Sequence, residues 1–265
     1  MRFKLTLSRT GKSKFIPVDY QYFIGAWIYK IIGKADKQLA AFLHGTGYGE
    51  SSKKFKYFNY SPLDLKPYTL WKEKQVFELQ NDQISFCVSF LIDRIAESFI
   101  KGLFLNQEIF IGDRFNGIDF MVTRVESLPM PLFKETMHYS LKSALVLSVK
   151  EPDNKALYLS PDDGRYKNCF IKHLSEKFNT VLIARPQLRE EIPVDTEIPF
   201  GLKITSRFRS RLHTIKPGTS EQTRVRGFVY DFELTAPVEI HEMAYSAGFG
   251  EKNAIGFGWG EVIKY

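Results

Sequence analysis

The sequence predicts an α+β fold made of two similar units in tandem. Strand and helix patterns follow one another in the order β-α-β-β-α-β, and the same order repeats in the second half of the chain. A Pro-rich stretch, Ser127 to Leu132, separates the two. This order is the ferredoxin-like motif, which RNA-recognition folds share. We therefore expect one ferredoxin-like domain over residues 1–126 and a second over residues 133–265.

Composition indicates a folded protein with a polyanionic partner. The chain has 265 residues, of which 44% are hydrophobic, and a net charge of +7. That charge favours nucleic acid as a partner, ahead of a membrane surface. No apolar run approaches membrane-spanning length, and Met1 to Leu5 lacks the apolar core of a signal peptide. We therefore expect a cytoplasmic protein that does not enter a membrane.

The cysteines and histidines lack the spacing of a metal site. Cys87 and Cys169 each lie within an apolar segment, which predicts neither a disulfide nor a thiolate ligand set. The five histidines are scattered along the chain. We therefore expect no metal and no cofactor.

In the first half, alternation over Arg2–Leu7 predicts a strand, and a helix follows from about Tyr20 to Ile32. The face of this helix opposite its apolar stripe carries Tyr29 and no charge, which indicates a groove or a contact rather than solvent. Asp36 is the predicted cap of a second helix that ends at His44-Gly45.

The rest of the first half supplies strands around one more helix. Phe55–Tyr60 is a predicted strand, and Gln75–Phe90 is a predicted hairpin that turns at Asn81-Asp82. An amphipathic helix follows over Leu91–Leu103, and Gln107–Val125 completes the motif.

The second half repeats the order. Predicted strands cover Leu141–Lys150, Pro199–Leu212, Thr223–Leu234 and Phe257–Lys264. One predicted helix begins after Asp163 and places Tyr166, Phe170, Leu174 and Phe178 in step, and another covers Pro237–Ser246.

A strongly basic strand pair lies in the second half. From Lys203 to Arg226 the chain has seven basic residues and one acid, Glu221, which indicates nucleic-acid binding rather than an ordinary solvated face. Alternation places four of the basic residues on one face, and a β-bulge at Gly227 is expected to bring two more beside them. The candidate RNA-binding residues are Lys203, Arg207, Arg209 and Arg211, with Arg224 and Arg226 on the partner strand.

A glycine-rich loop, Gly248–Gly260, follows the last helix and contains five glycines and Lys252. Successive backbone N–H groups in such a loop can cradle phosphate oxygens. Gly248, Gly250, Lys252, Gly256 and Gly258 are therefore further candidates for RNA contact, and a side chain added at Gly256 or Gly258 is expected to obstruct it. A loop that only turns the chain is the alternative.

The whole chain resembles the CRISPR-associated repeat-processing endoribonucleases, the sixth Cas family within the glycine-loop RAMP superfamily. The resemblance rests on the two ferredoxin-like halves, the glycine-rich loop, Gly25–Tyr29, Phe42–His44 and Lys56–Ser61. It implies a cleavage site of Tyr29, His44 and Lys56, with Lys53 or Lys54 as alternatives for the lysine. It also implies CRISPR repeat RNA as the substrate, and interference-complex subunits as possible partners of a monomer or homodimer.

The chemistry suits these side chains. RNA carries its own nucleophile, the 2′-hydroxyl, so a protein need only transfer protons and stabilise charge on the phosphorane. Metal-independent cleavage would leave a 2′,3′-cyclic phosphate and a 5′-hydroxyl. Two alternatives remain: a non-catalytic RNA-binding subunit of an interference complex, and a generic RNA-recognition module.

Overall fold

The computed structural model describes residues 1–49, 53–152, 155–184, 200–216 and 219–263. The elements of the first half are β1 (Arg2–Arg9), β2 (Phe15–Pro17), α1 (Gln21–Ala35), α2 (Lys37–Gly45), β3 (Phe58–Tyr60), β4 (Tyr68–Trp71), β5 (Val76–Leu79), β6 (Gln83–Phe90), α3 (Asp93–Leu105), β7 (Glu108–Gly112) and β8 (Gly117–Leu128). Among the described residues, no helix is both long and apolar enough to cross a membrane.

An antiparallel five-stranded sheet organises the first half, in the order β3-β6-β1-β8-β7. Trp27 of α1 contacts Phe86 of the sheet and Phe99 of α3, so both helices and the sheet share one core. The helices approach closely at Gly102, where a Cβ would lie 2.0 Å from the carbonyl oxygen of Ile31. This is the predicted ferredoxin-like arrangement.

The helices that supply the candidate site form as the sequence predicts. Ile24, Ile28 and Ile31 of α1 are fully buried, which confirms the predicted apolar stripe. Asp36 accepts a hydrogen bond from the backbone N–H of Leu39 at 2.9 Å, which confirms the predicted cap of α2.

The predicted hairpin over Gln75–Phe90 is wrong. β5 pairs with β2 and β4, whereas β6 pairs with β1 and β3. The chain leaves one sheet and enters another at Asn81-Asp82, so this segment connects two sheets and turns no hairpin. Two neighbouring runs with strand character do not specify their partners, because pairing is decided by what each run covers.

The elements of the second half are β9 (Thr136–Leu141), β10 (Ser148–Lys150), β11 (Ala156–Tyr158), α4 (Tyr166–Ala184), β12 (Gly201–Ile204), β13 (Arg209–Ile215), β14 (Thr223–Val229), β15 (Asp231–Thr235), α5 (Val238–Ala247), a 3-10 helix (Asn253–Ile255) and β16 (Gly260–Val262). Its main sheet has the order β12-β15-β9-β16. The central strand β9 ends where a strand was predicted to begin, at Leu141. The apolar run Ala144–Leu147 is buried but pairs only through a bridge from Leu145 to Phe228, so burial rather than strand pairing explains its composition.

The basic strands form a separate two-stranded ribbon, β13 with β14, which we call the basic ribbon. The strand predicted over Pro199–Leu212 is two strands, since β12 joins the main sheet and β13 joins the ribbon; Pro199 itself lies outside the described residues, as does Lys264. Pairing within the ribbon is regular from Arg209↔Val229 to Ile215↔Thr223, so the predicted bulge at Gly227 is wrong. Arg226 and Phe228 do share a face, but Phe228 lies in the buried part of the ribbon and Arg226 lies in the exposed part.

The two halves meet in a packed interface. Arg2 of β1 is 3% exposed, and its guanidinium lies 3.2 Å from the centre of the Tyr245 ring and 3.9 Å from that of Trp259. The same group donates hydrogen bonds to the carbonyl oxygens of Tyr245 (2.5 Å) and Gly260 (2.9 Å). Burial lowers the pKa of Arg2 to about 10. A strand of the first half is thereby fixed to the second.

Candidate active site

Three predicted side chains converge at one edge of the first half. Tyr29 lies on α1 and His44 in the last turn of α2, and their rings meet edge to face with centroids 5.4 Å apart. The ring of Phe58 supports Tyr29 from β3 at 5.3 Å. Lys56 enters just before β3, and its ammonium donates a hydrogen bond to the carbonyl oxygen of His44 at 3.4 Å. Separate elements thus bring a phenol, an imidazole and an ammonium together.

The three groups differ in exposure. His44 is exposed, whereas Tyr29 and Lys56 are half-buried. Burial raises the pKa of Tyr29 above its ordinary value, so its hydroxyl keeps its proton at neutral pH. Burial also lowers the pKa of Lys56, and the nearby charge of Lys54 lowers it further. An exposed imidazole therefore stands beside a phenol that does not ionise near neutrality.

Geometry separates Lys56 from the two alternative lysines. The ammonium of Lys53 pairs with Glu176 of α4, and that of Lys54 donates to the carbonyl oxygen of Gly49. Among these three, Lys56 is the one whose ammonium contacts His44 within the described part of the chain. This arrangement favours Lys56 as the lysine of the site.

The cluster borders a groove of about 890 Å³ between the halves, which Tyr29 and Lys56 line and His44 does not. The first half contributes Tyr29, Lys54 and Lys56 to its walls. The second half contributes Gly250, Lys252 and the 3-10 helix, which belong to the glycine-rich loop. The groove is therefore lined by basic groups from both halves.

Most glycines of the loop do not offer N–H groups to the groove. The N–H groups of Gly248, Gly256 and Gly258 donate to the carbonyl oxygens of Ala244 (2.8 Å), Asn253 (2.8 Å) and Ala144 (2.9 Å). A phosphate cradle built from these three is therefore excluded in this conformation. Gly250, whose N–H has no partner among the described residues, lines the groove beside Lys252. Of the five candidate residues of the loop, Gly250 and Lys252 line the groove.

Backbone shape and packing explain the glycines instead. Gly256 and Gly258 have positive φ angles of 85° and 71°. A Cβ on Gly258 would lie 1.8 Å from the carbonyl oxygen of Phe249, and one on Gly256 would lie 2.6 Å from the Tyr60 ring. A side chain at either position would collide with the protein itself, so such variants cannot report on RNA contact.

A functional candidate that the sequence analysis missed is Lys177 of α4. Its side chain is 2% exposed and its ammonium is bonded to the glycine-rich loop. Position 177 is in step with Phe170, Leu174 and Phe178, so a lysine there interrupts the apolar stripe of the helix. A lysine within the apolar stripe was the sequence signal for such a residue, because a lysine on a buried helix face needs hydrogen-bond acceptors inside the protein.

The candidate RNA-binding arginines fall on two faces of the basic ribbon. Arg211 pairs with Gly227, whereas Arg226 pairs with Leu212 and Arg224 with Thr214, so Arg209 and Arg211 point away from Arg224 and Arg226. The expected single basic face is therefore wrong. All four are exposed, as are Arg207, between β12 and β13, and Lys203 of β12.

One of these faces lies at the interface between the halves. His213, in phase with Arg209 and Arg211, contacts Phe257 of the glycine-rich loop with ring centroids 5.1 Å apart and lies 3.7 Å from Asp19. Arg211 and His213 also line a small cavity together with Gln21 and Gly256. The Arg209–Arg211 face is thus continuous with the interface.

Two family models match this chain. The model described as CRISPR associated protein Cas6, C-terminal, matches residues 128–262, and that described as CRISPR-associated protein Cas6, N-terminal, matches residues 15–126.

Individual relatives match nearly the full length. CRISPR-associated endoribonuclease Cas6 1 of Methanocaldococcus jannaschii is 24% identical over 97% of this chain and 91% of its own. CRISPR-associated endoribonuclease Cas6 of Pyrococcus furiosus is 26% identical over 99% of this chain and 90% of its own. A solved structure of a Cas6-related protein from Pyrococcus furiosus covers 100% of this chain and 98% of its own with a TM-score of 0.79 at 21% identity, which confirms the fold.

Proposed function

Because the chain belongs to the Cas6 family of CRISPR-associated proteins, we propose that it is a metal-independent endoribonuclease that cuts precursor CRISPR RNA within its repeats. The observation on which the proposal rests is that Tyr29 and Lys56 line a basic groove between the halves and that the exposed His44 contacts both of them. The names of the two full-length relatives support the same reaction.

The proposed reaction is an internal transesterification. The 2′-oxygen of one nucleotide forms a bond to the adjacent phosphorus while the bond from phosphorus to the 5′-oxygen breaks. The 2′-hydroxyl loses a proton and the departing 5′-oxygen gains one, which leaves a 2′,3′-cyclic phosphate and a 5′-hydroxyl. No water or cofactor enters the balance.

Each side chain has a role that its surroundings support. Imidazole gives and takes protons near neutral pH, so the exposed His44 exchanges protons with the reacting oxygens. Tyr29 keeps its proton and orients the 2′-hydroxyl by hydrogen bonding. Lys56 lines the same groove as Tyr29, and its ammonium stabilises the negative charge of the phosphorane.

A cleavage assay tests the proposal. A labelled repeat RNA is incubated with the protein in excess chelator, beside the same RNA with deoxyribose at the scissile nucleotide. We expect cutting of the first and none of the second, because only the first keeps the 2′-hydroxyl. Cleavage of the deoxy substrate, or a requirement for divalent metal, would exclude this mechanism. Tight binding without cleavage would support the non-catalytic alternative.

A further inference from the structure

We propose that Lys177 is a positioning residue that fixes the glycine-rich loop against the groove in its cleavage-competent shape. The inference rests on the proposed function for its catalytic consequence. Its geometric basis is independent of that function and lies in one set of hydrogen bonds. The ammonium of Lys177 donates to the carbonyl oxygens of Gly248 (2.8 Å) and Gly250 (3.2 Å) and to Oδ1 of Asn253 (2.6 Å). Three acceptors thus surround the Lys177 nitrogen, which has three N–H donors as an ammonium and two as a neutral amine.

Asn253 connects Lys177 to the loop backbone on both sides of the 3-10 helix. While its Oδ1 accepts from Lys177, its Nδ2 donates to the carbonyl oxygens of Phe249 (3.0 Å) and Phe257 (2.9 Å). The first of these lies before the 3-10 helix and the second after it. The pair Lys177–Asn253 therefore closes the loop around the segment that contains Lys252.

The loop is placed against the helix that carries Tyr29. The carbonyl oxygen of Ala254 lies only 2.9 Å from where a Cβ on Gly25 would be. Gly25 is one turn before Tyr29 on α1, on the same side of the helix. A shift of the loop would thus change the distance between Lys252 and Tyr29, the groups on the two walls of the groove.

A packing role alone does not account for a lysine here. An apolar side chain would fill the stripe of α4 without the cost of burying a charge. The lysine supplies what an apolar residue lacks, namely donors for the two loop carbonyls and Asn253. These contacts are the reason we assign it a positioning role.

The test compares Lys177→Met with Lys172→Met, the same change at an exposed position of the same helix. Hydrogen–deuterium exchange is measured over residues 246–259, and repeat-RNA cleavage is measured in single turnover at saturating protein. In Lys177→Met we expect faster exchange in this segment. We also expect the cleavage rate constant to fall by about a hundredfold, the loss that can follow when reacting groups are misplaced by about 1 Å. The RNA dissociation constant should change by less than about threefold, because phosphate contacts elsewhere supply the affinity.

This readout separates positioning from a loss of folded protein, which would raise the total protein concentration needed for saturation and leave the saturated rate constant unchanged. Asn253→Ala serves as a second variant. It should reproduce the defect, and the double variant should be no worse than either single one, since both act through one network.

Unchanged exchange over residues 246–259 in Lys177→Met, or a wild-type rate constant, would overturn the inference. Failure of the wild type to cleave would instead contradict the proposed function. The exchange comparison would then still decide whether Lys177 fixes the loop.

Discussion

His44 is exposed, whereas the other two members of the cluster, Tyr29 and Lys56, are half-buried. This exposure leads us to expect that replacing His44 affects cleavage. His44→Ala should slow cleavage by about a hundredfold or more, the usual scale of general acid–base catalysis. RNA affinity should change little, because most candidate phosphate contacts lie in the second half. Single-turnover cleavage and equilibrium binding of the same repeat RNA measure the two effects.

The control for His44 is His138→Ala, a half-buried histidine that lies near Glu233 in the second-half sheet. It should cleave like the wild type. Full activity of His44→Ala would mean that His44 has no part in cleavage and only interacts with the dipole at the end of α2.

Lys56 and Lys53 offer a matched pair, because both line the groove, while Lys56 donates to the carbonyl oxygen of His44 and Lys53 pairs with Glu176. Lys56→Ala should lower the saturated cleavage rate constant by roughly a hundredfold, as expected when a group that stabilises transition-state charge is removed. Lys53→Ala should lower it far less, since its ammonium pairs with Glu176. The reverse order would identify Lys53 as the lysine that acts on the phosphate.

Residue patterns alone predicted little of how this site is assembled. Periodicity placed Tyr29 on an uncharged helix face and a stop signal placed His44 at a helix end, but neither pattern brings the two together. Their meeting depends on how α2 folds back onto α1, which no local pattern encodes. Resemblance to a known family, rather than composition or spacing, supplied the set of three. Lys177 was missed because surface lysines are common and its acceptors are backbone carbonyls some seventy residues away.

At the level of secondary structure, the basic ribbon separates four arginines into two pairs of equal charge. The face with Arg209 and Arg211 is continuous with the interface between the halves, whereas Arg224 and Arg226 lie on the other face. Replacing Arg209 and Arg211 by Ala should therefore weaken RNA binding more than replacing Arg224 and Arg226. For each arginine–phosphate ion pair that a variant removes, the slope of log affinity against log salt should fall by about 0.7 for single-stranded RNA.

Binding isotherms at several salt concentrations measure both double variants. Because each removes two positive charges, a general reduction of charge would affect them alike. Equal effects would mean that the ribbon attracts RNA without a preferred face, and a larger effect for Arg224 and Arg226 would place the RNA on the opposite side.

Element prediction succeeded where the sequence pattern was local and failed where pairing was not. The helices α1, α2 and α3 lie within a few residues of their predicted bounds, because caps and apolar stripes are short-range signals. The hairpin over Gln75–Phe90 and the strand from Leu141 were wrong because pairing depends on partners distant in sequence, and the bulge at Gly227 was wrong because the ribbon pairs regularly although its residues break the alternation. The ferredoxin-like class survived these errors, since it depends on element order more than on individual pairs.

For the molecule as a whole, Lys177 links stability to pH. Burial lowers its pKa to about 7 in the folded state, while the carboxylate of Glu251 opposes the lowering. In the unfolded chain the amine titrates at its ordinary pKa of about 10.4. Between these values the unfolded state binds more protons, so the contribution of Lys177 to the free energy of unfolding becomes more favourable as pH rises.

Denaturant unfolding at pH 7.5 and pH 9 measures this contribution. The free energy of unfolding of the wild type minus that of Lys177→Met should be larger at pH 9, a range below the ordinary tyrosine pKa. Other groups cancel in the difference except those near Lys177, namely Glu251 and His173. The same difference at both pH values would mean that Lys177 keeps its ordinary pKa when folded.

The insertion of Arg2 between Tyr245 and Trp259 has a consequence for how this protein is inherited. Arg2 lies in the first half of the chain and both rings lie in the second, yet each ring centre is within 4 Å of the guanidinium. A smaller or neutral residue at position 2 would leave a gap between the two rings and would leave two carbonyl oxygens unpaired. Replacing either ring would leave the buried charge of Arg2 without that contact. Recombination that exchanged one half for that of a distant relative would separate the arginine from its rings. Position 2 is therefore expected to vary together with positions 245 and 259.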